Sequence, residues 1–225
     1  MTNTHTAQRV DNLPSSLLLG FTGPAGAGKD TCAHILQAYG FRCIAFADEL
    51  RRQVAEAWRI DPRMLTDRAT KEWDIPALAI ANCSDGNFVV RMHTLNEDAQ
   101  APRSPRWIMQ RWGTEYRRHF EGDTYWIGFV ERWVQRQRGI SCKRLVITDV
   151  RFENEAKFVQ RLGGWQITVH RPDLKPLAHT SSQHVSERLF KLPHAHAVHN
   201  DGDFGHLHAE LLRVLGNLRS AQAAA

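Results

Sequence analysis

The glycines and the lysine at positions 23–29 have the types and spacing of a loop that binds phosphate. Gly23, Gly28 and Lys29 match the pattern G-x-x-x-x-G-K. A backbone that wraps a phosphate must turn several N–H groups inward, and Gly23, Gly26 and Gly28 provide the conformational freedom that this requires. Lys29 adds a positive charge that can reach the outer phosphates of a nucleotide. Because the pattern lies between an apolar strand and an amphipathic helix, it favours a phosphate-binding loop over a glycine-rich turn with a chance lysine.

Asp30 occupies the position after the lysine, where serine or threonine is usual, and Thr31 comes one residue late. A carboxylate is a hard oxygen ligand that suits Mg²⁺, either directly or through water. It also brings negative charge close to the phosphates, which is unfavourable. We predict that Asp30 lies near the metal or the acceptor phosphate, and the direct Mg²⁺ ligand stays open.

Charged and polar residues also follow the other predicted strands. In an open parallel sheet, ligands bind at the carboxyl ends of the strands. Phosphoryl transfer needs cations on the transferring group, a carboxylate that holds hydrated Mg²⁺, and groups that position the acceptor. The residues that follow strands and could meet these needs are Asp48, Arg51, Asp149, Arg151, Arg171 and Asn200.

Asp149 and Arg151 come directly after a hydrophobic strand. Asp149 fits the carboxylate on the metal side, and Arg151, two residues later, can reach across to the phosphates. Two structural alternatives stay open. Asp149 could cap the helix that follows, and Arg151 could form a surface ion pair with Glu153 or Glu155.

The order of the predicted elements indicates an α/β fold. Apolar runs predict five strands at 17–21, 42–46, 144–148, 165–170 and 195–199. Amphipathic patterns predict helices at 30–39, from an N-cap at Asp48, and at 126–138, 154–162 and 204–218. Strands that alternate with helices are typical of a parallel sheet wrapped by helices.

Residues 60–105 interrupt this alternation. The segment is polar, contains four prolines and has one strand-like run at 88–90. We interpret it as an inserted substrate lobe or mobile cover, and the alternative is a long surface loop. A helix entered through Pro105 is predicted at 106–120. The aromatic stripe of the 126–138 helix is predicted to be core, with Trp126 at the helix start as the exception.

Length and composition narrow the function classes. The 225 residues, 42% of them hydrophobic, suit one domain with an inserted lobe, after a loose tail at 1–15 and with a short lid at 173–191. The net charge of +5 is modest and dispersed, which does not favour nucleic acid as a partner. The four cysteines are isolated, no signal peptide or membrane span is visible, and a cytoplasmic location is expected. No histidine spacing suits a protein-bound transition metal.

Three sequence blocks together resemble the deoxynucleoside monophosphate kinases of tailed bacteriophages and their bacterial relatives. The first is G-P-A-G-A-G-K-D-T at 23–31, whose K-D-T ending is the variant found in that family. The second is S-P-R-W-I-M-Q-R-W-G-T-E at 104–115, followed by Y-W-I at 125–127. The third is T-D-V-R-F-E-N-E-A at 148–156, with H-R-P, H-V-S-E and N-D-G after it. The resemblance runs from about residue 17 to 215, and the 60–105 lobe does not align.

The resemblance implies a fold and a reaction. The fold is that of the P-loop NTPases, a three-layer α/β/α sandwich around a five-stranded, mostly parallel sheet. The reaction transfers a phosphoryl group from ATP to a nucleoside or deoxynucleoside monophosphate, with Mg²⁺ as the cofactor metal. The partner is therefore a small nucleotide, with no membrane involved, and a homodimer stays open.

The resemblance also implies roles for residues at matching positions. The ATP phosphates would be held by Gly26, Gly28, Lys29, Asp30 and Thr31, and the turn at Asn200 would lie near adenine. The acceptor nucleotide would be met by Leu50, Arg51, Arg106, Gln110, Gly113, Thr114, Trp126, Asp149 and Arg151. Among these, Arg106 and Gln110 would contact the acceptor phosphate and base. Arg171 and Arg188 are both candidates for the lid arginine.

The same residues are also compatible with two other functions. One is a kinase that phosphorylates a hydroxyl group, which would need a base such as Asp30 or Asp149 near the acceptor. The other is a nucleotide-dependent switch or nucleic-acid-binding ATPase, although no helix-turn-helix is visible and the basic residues are dispersed. A panel of acceptors separates the first alternative from the monophosphate kinase, and salt-dependent DNA binding would reveal the second.

Overall fold

The computed structural model describes residues 16–67, 69–174 and 196–223. The strands are β1 Leu17–Thr22, β2 Arg42–Ile44, β3 Arg144–Ile147, β4 Trp165–His170 and β5 His196–His199. The helices are α1 Lys29–Gln37, α2 Phe46–Trp58, α3 Gly86–Thr94, α4 Pro105–Gln110, α5 Tyr125–Gly139, α6 Glu153–Arg161 and α7 Phe204–Ala223. A π-helical segment, Arg111–Arg118, continues α4 and leads into the helical turn His119–Glu121, and short 3₁₀ helices lie at Pro62–Leu65, Pro76–Leu78 and Ile80–Asn82.

The chain forms two compact units. The sheet unit contains the described residues 16–45, 130–174 and 196–223, and the helical unit contains residues 46–67 and 69–129. The predicted tail at 1–15 and most of the predicted lid at 173–191, Arg188 included, lie outside the described residues. No helix in the described part of the chain is long and apolar enough to cross a membrane.

Five parallel strands form the sheet unit in the order β2-β3-β1-β4-β5. This confirms the predicted α/β fold with a five-stranded parallel sheet. β1 is the central strand, where Leu19 pairs with Val146 on one side and Trp165 on the other. All six residues of β1 are buried, as the unbroken apolar run predicts for a strand covered on both faces.

Helices cover both faces of β1. Leu19 and Phe21 lie in one core with residues of α1 and α7, among them Leu36 and Leu211. Gly20 points to the opposite face, where a Cβ atom added to it would meet Val159 of α6 at 3.2 Å. The central strand is therefore enclosed by helices, and its carboxyl end is the part that leads out of the core.

An aromatic cluster is the core of the helical unit. Trp58, Phe88, Trp112 and Tyr116 pack with ring centroids 5.1–5.7 Å apart, mostly edge to face. Trp58 and Trp112 are almost completely buried, and each indole N–H finds an oxygen acceptor within this unit. Aromatic rings that carry a polar edge thus give this strand-free unit a packed interior.

The strand predicted at 88–90 is wrong, because these residues belong to α3. The Asp85 carboxylate accepts hydrogen bonds from the N–H groups of Asn87 and Phe88 and so caps the helix. Phe88 and Met92, one helical turn apart, are completely buried. The helix cap and the helical spacing of the two buried residues outweigh the strand preference of the F-V-V run.

The predicted start of α2 is wrong, and the predicted start of α4 is confirmed. β2 ends at Ile44 and α2 begins at Phe46, so the predicted cap Asp48 lies inside the first helical turn instead. There its charge favours the positive helix end. Pro105 is the first residue of α4, as predicted, and the Ser104 hydroxyl accepts a hydrogen bond from the Trp107 N–H.

Candidate functional site

The predicted phosphate loop, residues 23–29, leaves the carboxyl end of β1 in the conformation that its glycines permit. Gly23, Gly26 and Gly28 have φ angles of 136°, 84° and 107°, which side chains rarely tolerate. A Cβ atom at Gly23 would lie 2.4 Å from the Val169 carbonyl oxygen, and one at Gly28 would lie 2.5 Å from Asn200 Nδ2. The loop therefore requires glycine at these positions, as expected of a backbone that wraps a phosphate group.

The Lys29 side chain lies across this loop. Its Nζ donates hydrogen bonds to the carbonyl oxygens of Gly23 at 2.8 Å and Pro24 at 2.9 Å. Lys29 is also the first residue of α1, so its charge adds to the positive end of that helix. The positive charge is anchored to the loop that would hold the phosphates, as an anion site requires.

Asp30 and Thr31 lie in the first turn of α1. Asp30 is exposed and Thr31 is half-buried. No group of three or more His, Cys, Asp or Glu residues that could hold a metal ion occurs within residues 16–67, 69–174 and 196–223. A single carboxylate beside a phosphate cradle fits Mg²⁺, because this ion commonly uses one or two carboxylates together with substrate phosphates and water.

Asn200 connects the end of β5 to the phosphate loop. Its main-chain N–H donates to the His170 carbonyl at 2.7 Å, and its side-chain Nδ2 donates to the Ala27 carbonyl at 2.8 Å. The side-chain amide occupies the space that a side chain at Gly28 would need. The structure therefore places Asn200 on the loop backbone, and its predicted nearness to adenine stays a prediction.

Asp149 and Arg151 follow β3 beside the start of the phosphate loop. The N–H of Val150, between them, donates to the carbonyl of Phe21 near the end of β1 at 2.9 Å. Asp149 and Arg151 are both half-buried. The central position of β1 thus brings the loop and the Asp149–Arg151 segment to one edge of the sheet.

The Glu155 carboxylate accepts main-chain hydrogen bonds at the start of α6, whose N-cap residue is Phe152. The donors are the N–H groups of Arg151 at 2.8 Å and Phe152 at 3.2 Å. Glu153 forms an exposed ion pair with Lys157 at 2.7 Å. The alternative that Asp149 caps this helix is therefore wrong, and the glutamate at the third helical position accepts these hydrogen bonds.

Leu50, Gly113 and Trp126 lie together in the helical unit. A Cβ atom at Gly113 would lie 3.4 Å from a methyl carbon of Leu50, and the Trp126 indole donates to the Gly113 carbonyl at 3.1 Å. Trp126 is 4% exposed. Gly113 belongs to the π-helical segment, a geometry that is frequent at functional sites. Gln110 and Thr114, on either side of it in the chain, are half-buried.

The two predicted acceptor arginines of the helical unit have different surroundings. Arg106 is 6% exposed, forms an ion pair with Glu72, and donates its main-chain N–H to the Lys71 carbonyl at 3.1 Å. Arg51 pairs with Asp48 one turn earlier on α2 at 2.6 Å, and both side chains are partly exposed. Exposed pairs of that kind contribute little, whereas a buried pair fixes its members strongly.

A cleft of about 520 Å³ in the helical unit was not predicted from the sequence. It is lined by Glu49, Arg52, Gln53, Glu56, Ala57, Ser84, Asp85, Trp112, Arg117, Tyr125 and Phe129. None of the predicted acceptor residues is among them. The Gln53 amide is central: its oxygen accepts from Trp112 and Arg117, and its nitrogen donates to Glu49 and the Tyr125 hydroxyl, all at 2.9–3.1 Å. The helical spacing of Glu49, Gln53 and Ala57 is the one sequence signal that could have indicated this surface.

Burial, together with a hydrogen bond in one case, raises the pKa values of three side chains. The Tyr116 hydroxyl donates to both oxygens of Asp85 at 2.9 Å, and burial together with that contact raises the pKa of Tyr116 to about 12. Burial also raises the pKa values of Cys32 and Cys83 to about 12. All four cysteines are free thiols, and at neutral pH these two lack the thiolate character of a nucleophile.

Comparison with known proteins gives one informative relative. The chain is 26% identical over 170 residues to a protein of Acanthamoeba polyphaga mimivirus named "Putative deoxynucleotide monophosphate kinase"; the match covers 70% of this chain and 76% of the viral protein. This similarity confirms the resemblance predicted from the three sequence blocks. No family model matches the chain. The crystal structure of TT1252 from Thermus thermophilus overlaps 93% of this chain and 97% of its own at 15% identity, with a TM-score of 0.43, which is too low to carry an argument.

Proposed function

We propose that this chain transfers a phosphoryl group from ATP to a nucleoside or deoxynucleoside monophosphate, which gives ADP and the diphosphate. The observation that carries the proposal is the backbone cradle of the phosphate loop with the Lys29 ammonium fixed across it. The distant similarity to the mimivirus protein supports a nucleotide kinase in particular. The monophosphate acceptor comes from the motifs at 104–115 and 148–156.

On the donor side, the chain would bind the ATP phosphates through the loop that contains Gly23, Gly26 and Gly28. Backbone N–H groups of the loop that turn toward the phosphates would favour their negative charge, as would the positive end of α1. Lys29 would compensate the charge of the outer phosphates. Mg²⁺, when bound, would supply further charge compensation at the phosphates, and Asp30 would hold it, directly or through water.

Asp149 and Arg151 would complete the transfer site at the same edge of the sheet. Arg151 would compensate the charge that develops on the transferred group, and Asp149 would orient water held by the metal. The acceptor is already a phosphate anion, so its attack needs little base catalysis. The protein would therefore act by positioning and by charge compensation.

On the acceptor side, the helical unit provides Leu50, Arg51, Arg106 and Gln110. A guanidinium group recognises phosphate with two parallel hydrogen bonds, and a buried one is held in a fixed orientation. Arg106 has that burial. Gln110, with both donors and acceptors on its amide, suits the edge of a base.

The test is a coupled assay of ADP release from Mg-ATP in the presence of each common ribo- and deoxyribonucleoside monophosphate in turn. We expect strong stimulation by one or a few of them. Lys29→Ala should reduce kcat about 100-fold or more, since it removes one electrostatic donor from the transfer site. Lys157→Ala removes an exposed lysine of the same unit and serves as the control.

ATP binding without stimulation by any monophosphate would contradict this proposal. The same assay with hydroxyl-bearing acceptors would then test a small-molecule kinase. Normal turnover in Lys29→Ala would separately contradict the role of the phosphate loop.

A further inference from the structure

The ion pair between Arg106 and Glu72 joins a predicted acceptor residue to the 60–105 segment. Arg106 begins the second sequence block, whereas Glu72 lies where the family resemblance does not extend. The two are 34 residues apart in the chain, and the Glu72 carboxylate accepts from Arg106 Nε. The main-chain N–H of Arg106 also donates to the carbonyl of Lys71, the residue before Glu72. The segment therefore holds Arg106 by side chain and by backbone together.

Burial makes this contact important for Arg106. Its side chain is 6% exposed, and that of Glu72 is 27% exposed. A guanidinium group cannot lose its proton in a protein, so burial must be compensated by acceptors with good geometry. Removal of the carboxylate would take a charged acceptor away from the Arg106 Nε and so loosen the orientation of the guanidinium group.

We propose that Glu72 is a positioning residue for acceptor binding, which acts by fixing the guanidinium of Arg106 in the orientation that receives the acceptor phosphate. This inference rests on the proposed function, because it takes Arg106 as a phosphate ligand. It assigns a specific task to the 60–105 segment: its Lys71–Glu72 corner sets the geometry of the phosphate-recognising arginine. A rigid, pre-oriented guanidinium binds phosphate better than a mobile one, because less conformational freedom is lost on binding.

A purely structural ion pair would behave differently. It would lower stability on removal and affect the binding of ATP and of the monophosphate alike. A positioning residue changes the KM for the monophosphate and leaves the KM for ATP nearly unchanged. It also loses its effect when Arg106 is already absent, because it acts through that residue.

The experiment uses the full chain, and measures steady-state KM for the best monophosphate and for ATP in the wild type, five variants and one control variant. The variants are Glu72→Ala, Glu72→Gln, Glu72→Asp, Arg106→Ala and the double variant Glu72→Ala/Arg106→Ala. Asp74→Ala is the matched control, since it removes an exposed carboxylate from the same segment. Circular dichroism and the thermal midpoint show whether each variant folds.

We expect Glu72→Ala to raise the KM for the monophosphate about tenfold, the usual size for the loss of a hydrogen bond to a charged group. Glu72→Gln keeps an oxygen acceptor at the same reach but removes the negative charge, so it should raise this KM by less than Glu72→Ala does. Glu72→Asp keeps the charge but withdraws it by one methylene, and should raise this KM several-fold. In the Arg106→Ala background, the further loss of Glu72 should add less than about twofold. The KM for the monophosphate in Asp74→Ala, and the KM for ATP in every variant, should stay within about twofold of the wild-type value.

Three results would overturn the inference. One is an unchanged monophosphate KM in folded Glu72→Ala, or in Glu72→Asp if the alanine variant does not fold. The second is an equal rise in the KM for ATP. The third is a full effect of Glu72→Ala in the Arg106→Ala background. A wild-type chain that no monophosphate stimulates would show instead that the proposed function fails, and the role of Glu72 with it.

Discussion

In the predicted phosphate loop, backbone conformation shapes the candidate site, whereas in the helical unit side-chain pairs hold the predicted acceptor residues. The loop depends on left-handed glycines and on two carbonyls that hold Lys29. Arg106 instead depends on Glu72, and Arg51 on Asp48. The first kind of site leaves a compact pattern in the sequence, while the second is spread over residues that no pattern connects. This difference decides which changes should damage each site.

The largest expected effect is a loss of ATP affinity caused by a single methyl group added to the loop. Gly28→Ala would place Cβ against Asn200 at a φ of +107°. Left-handed strain of this kind costs about 1–3 kcal/mol, so ATP binding should weaken about 10- to 100-fold in a calorimetric titration. Gly216→Ala, which meets no atom within 4 Å in α7, should instead stabilise the chain by about 0.5–1 kcal/mol.

A double variant sharpens the same point. Asn200→Ala combined with Gly28→Ala removes the clash but leaves the strained dihedral angle. It also removes the hydrogen bond from Asn200 to the Ala27 carbonyl, so Asn200→Ala alone is the reference. Partial recovery of ATP affinity would separate the two causes, and full affinity in Gly28→Ala alone would contradict a site built by backbone.

A smaller, selective effect is expected at the acceptor arginines. Arg106→Ala should raise the KM for the monophosphate about tenfold or more, because it removes a buried charged donor. Arg51→Ala should change it about twofold, since its pair with Asp48 is partly exposed and local to one helix. Steady-state kinetics with ATP held saturating provides the measurement. Equal effects at the two positions would show that burial does not distinguish them.

The last expected effect is on stability, not on ATP or monophosphate binding, and concerns the helical unit alone. The pKa of Tyr116 is raised to about 12 from its usual 10, so the neutral phenol favours the folded state. This contribution is complete below about pH 10 and is lost as the pH rises from about 10 to 12. The wild type should therefore lose more thermal stability over this range than Tyr116→Phe does.

At neutral pH, the comparison of these two proteins tests the hydrogen bond itself. Tyr116→Phe should be less stable by about 1.5–3 kcal/mol, because it removes a donor from the Asp85 carboxylate. A difference between the proteins that stays constant from pH 9 to pH 12 would contradict the assigned titration.

The sequence could predict the features that repeat a local rule. The apolar run at 17–21 predicts a buried strand, and the glycines and lysine that follow it predict a phosphate loop. Each of these patterns is contained within a stretch of about fifteen residues. The five strands follow from the same kind of run. The error at 88–90 arose because F-V-V has strong strand preference, while Asp85 as a cap and Met92 as a core partner decided for helix.

Contacts between distant residues could not be predicted in this way. Glu72 and Arg106 are 34 residues apart, and Gln53 and Arg117 are 64 residues apart. Each of these side chains is also common on a solvated helix or turn, so its type alone carries no information about its partner. Only the packing of the aromatic cluster of the helical unit, including Trp58 and Trp112, brings the cleft residues together.

The hydrogen bond from Asn200 to the Ala27 carbonyl has a consequence for the order in which the chain matures. The two residues are 173 positions apart, and β5 joins the sheet only through β4. During synthesis the phosphate loop emerges early, but the amide that fixes it emerges near the end. A nascent chain should therefore acquire its full ATP affinity only after β5 has left the ribosome.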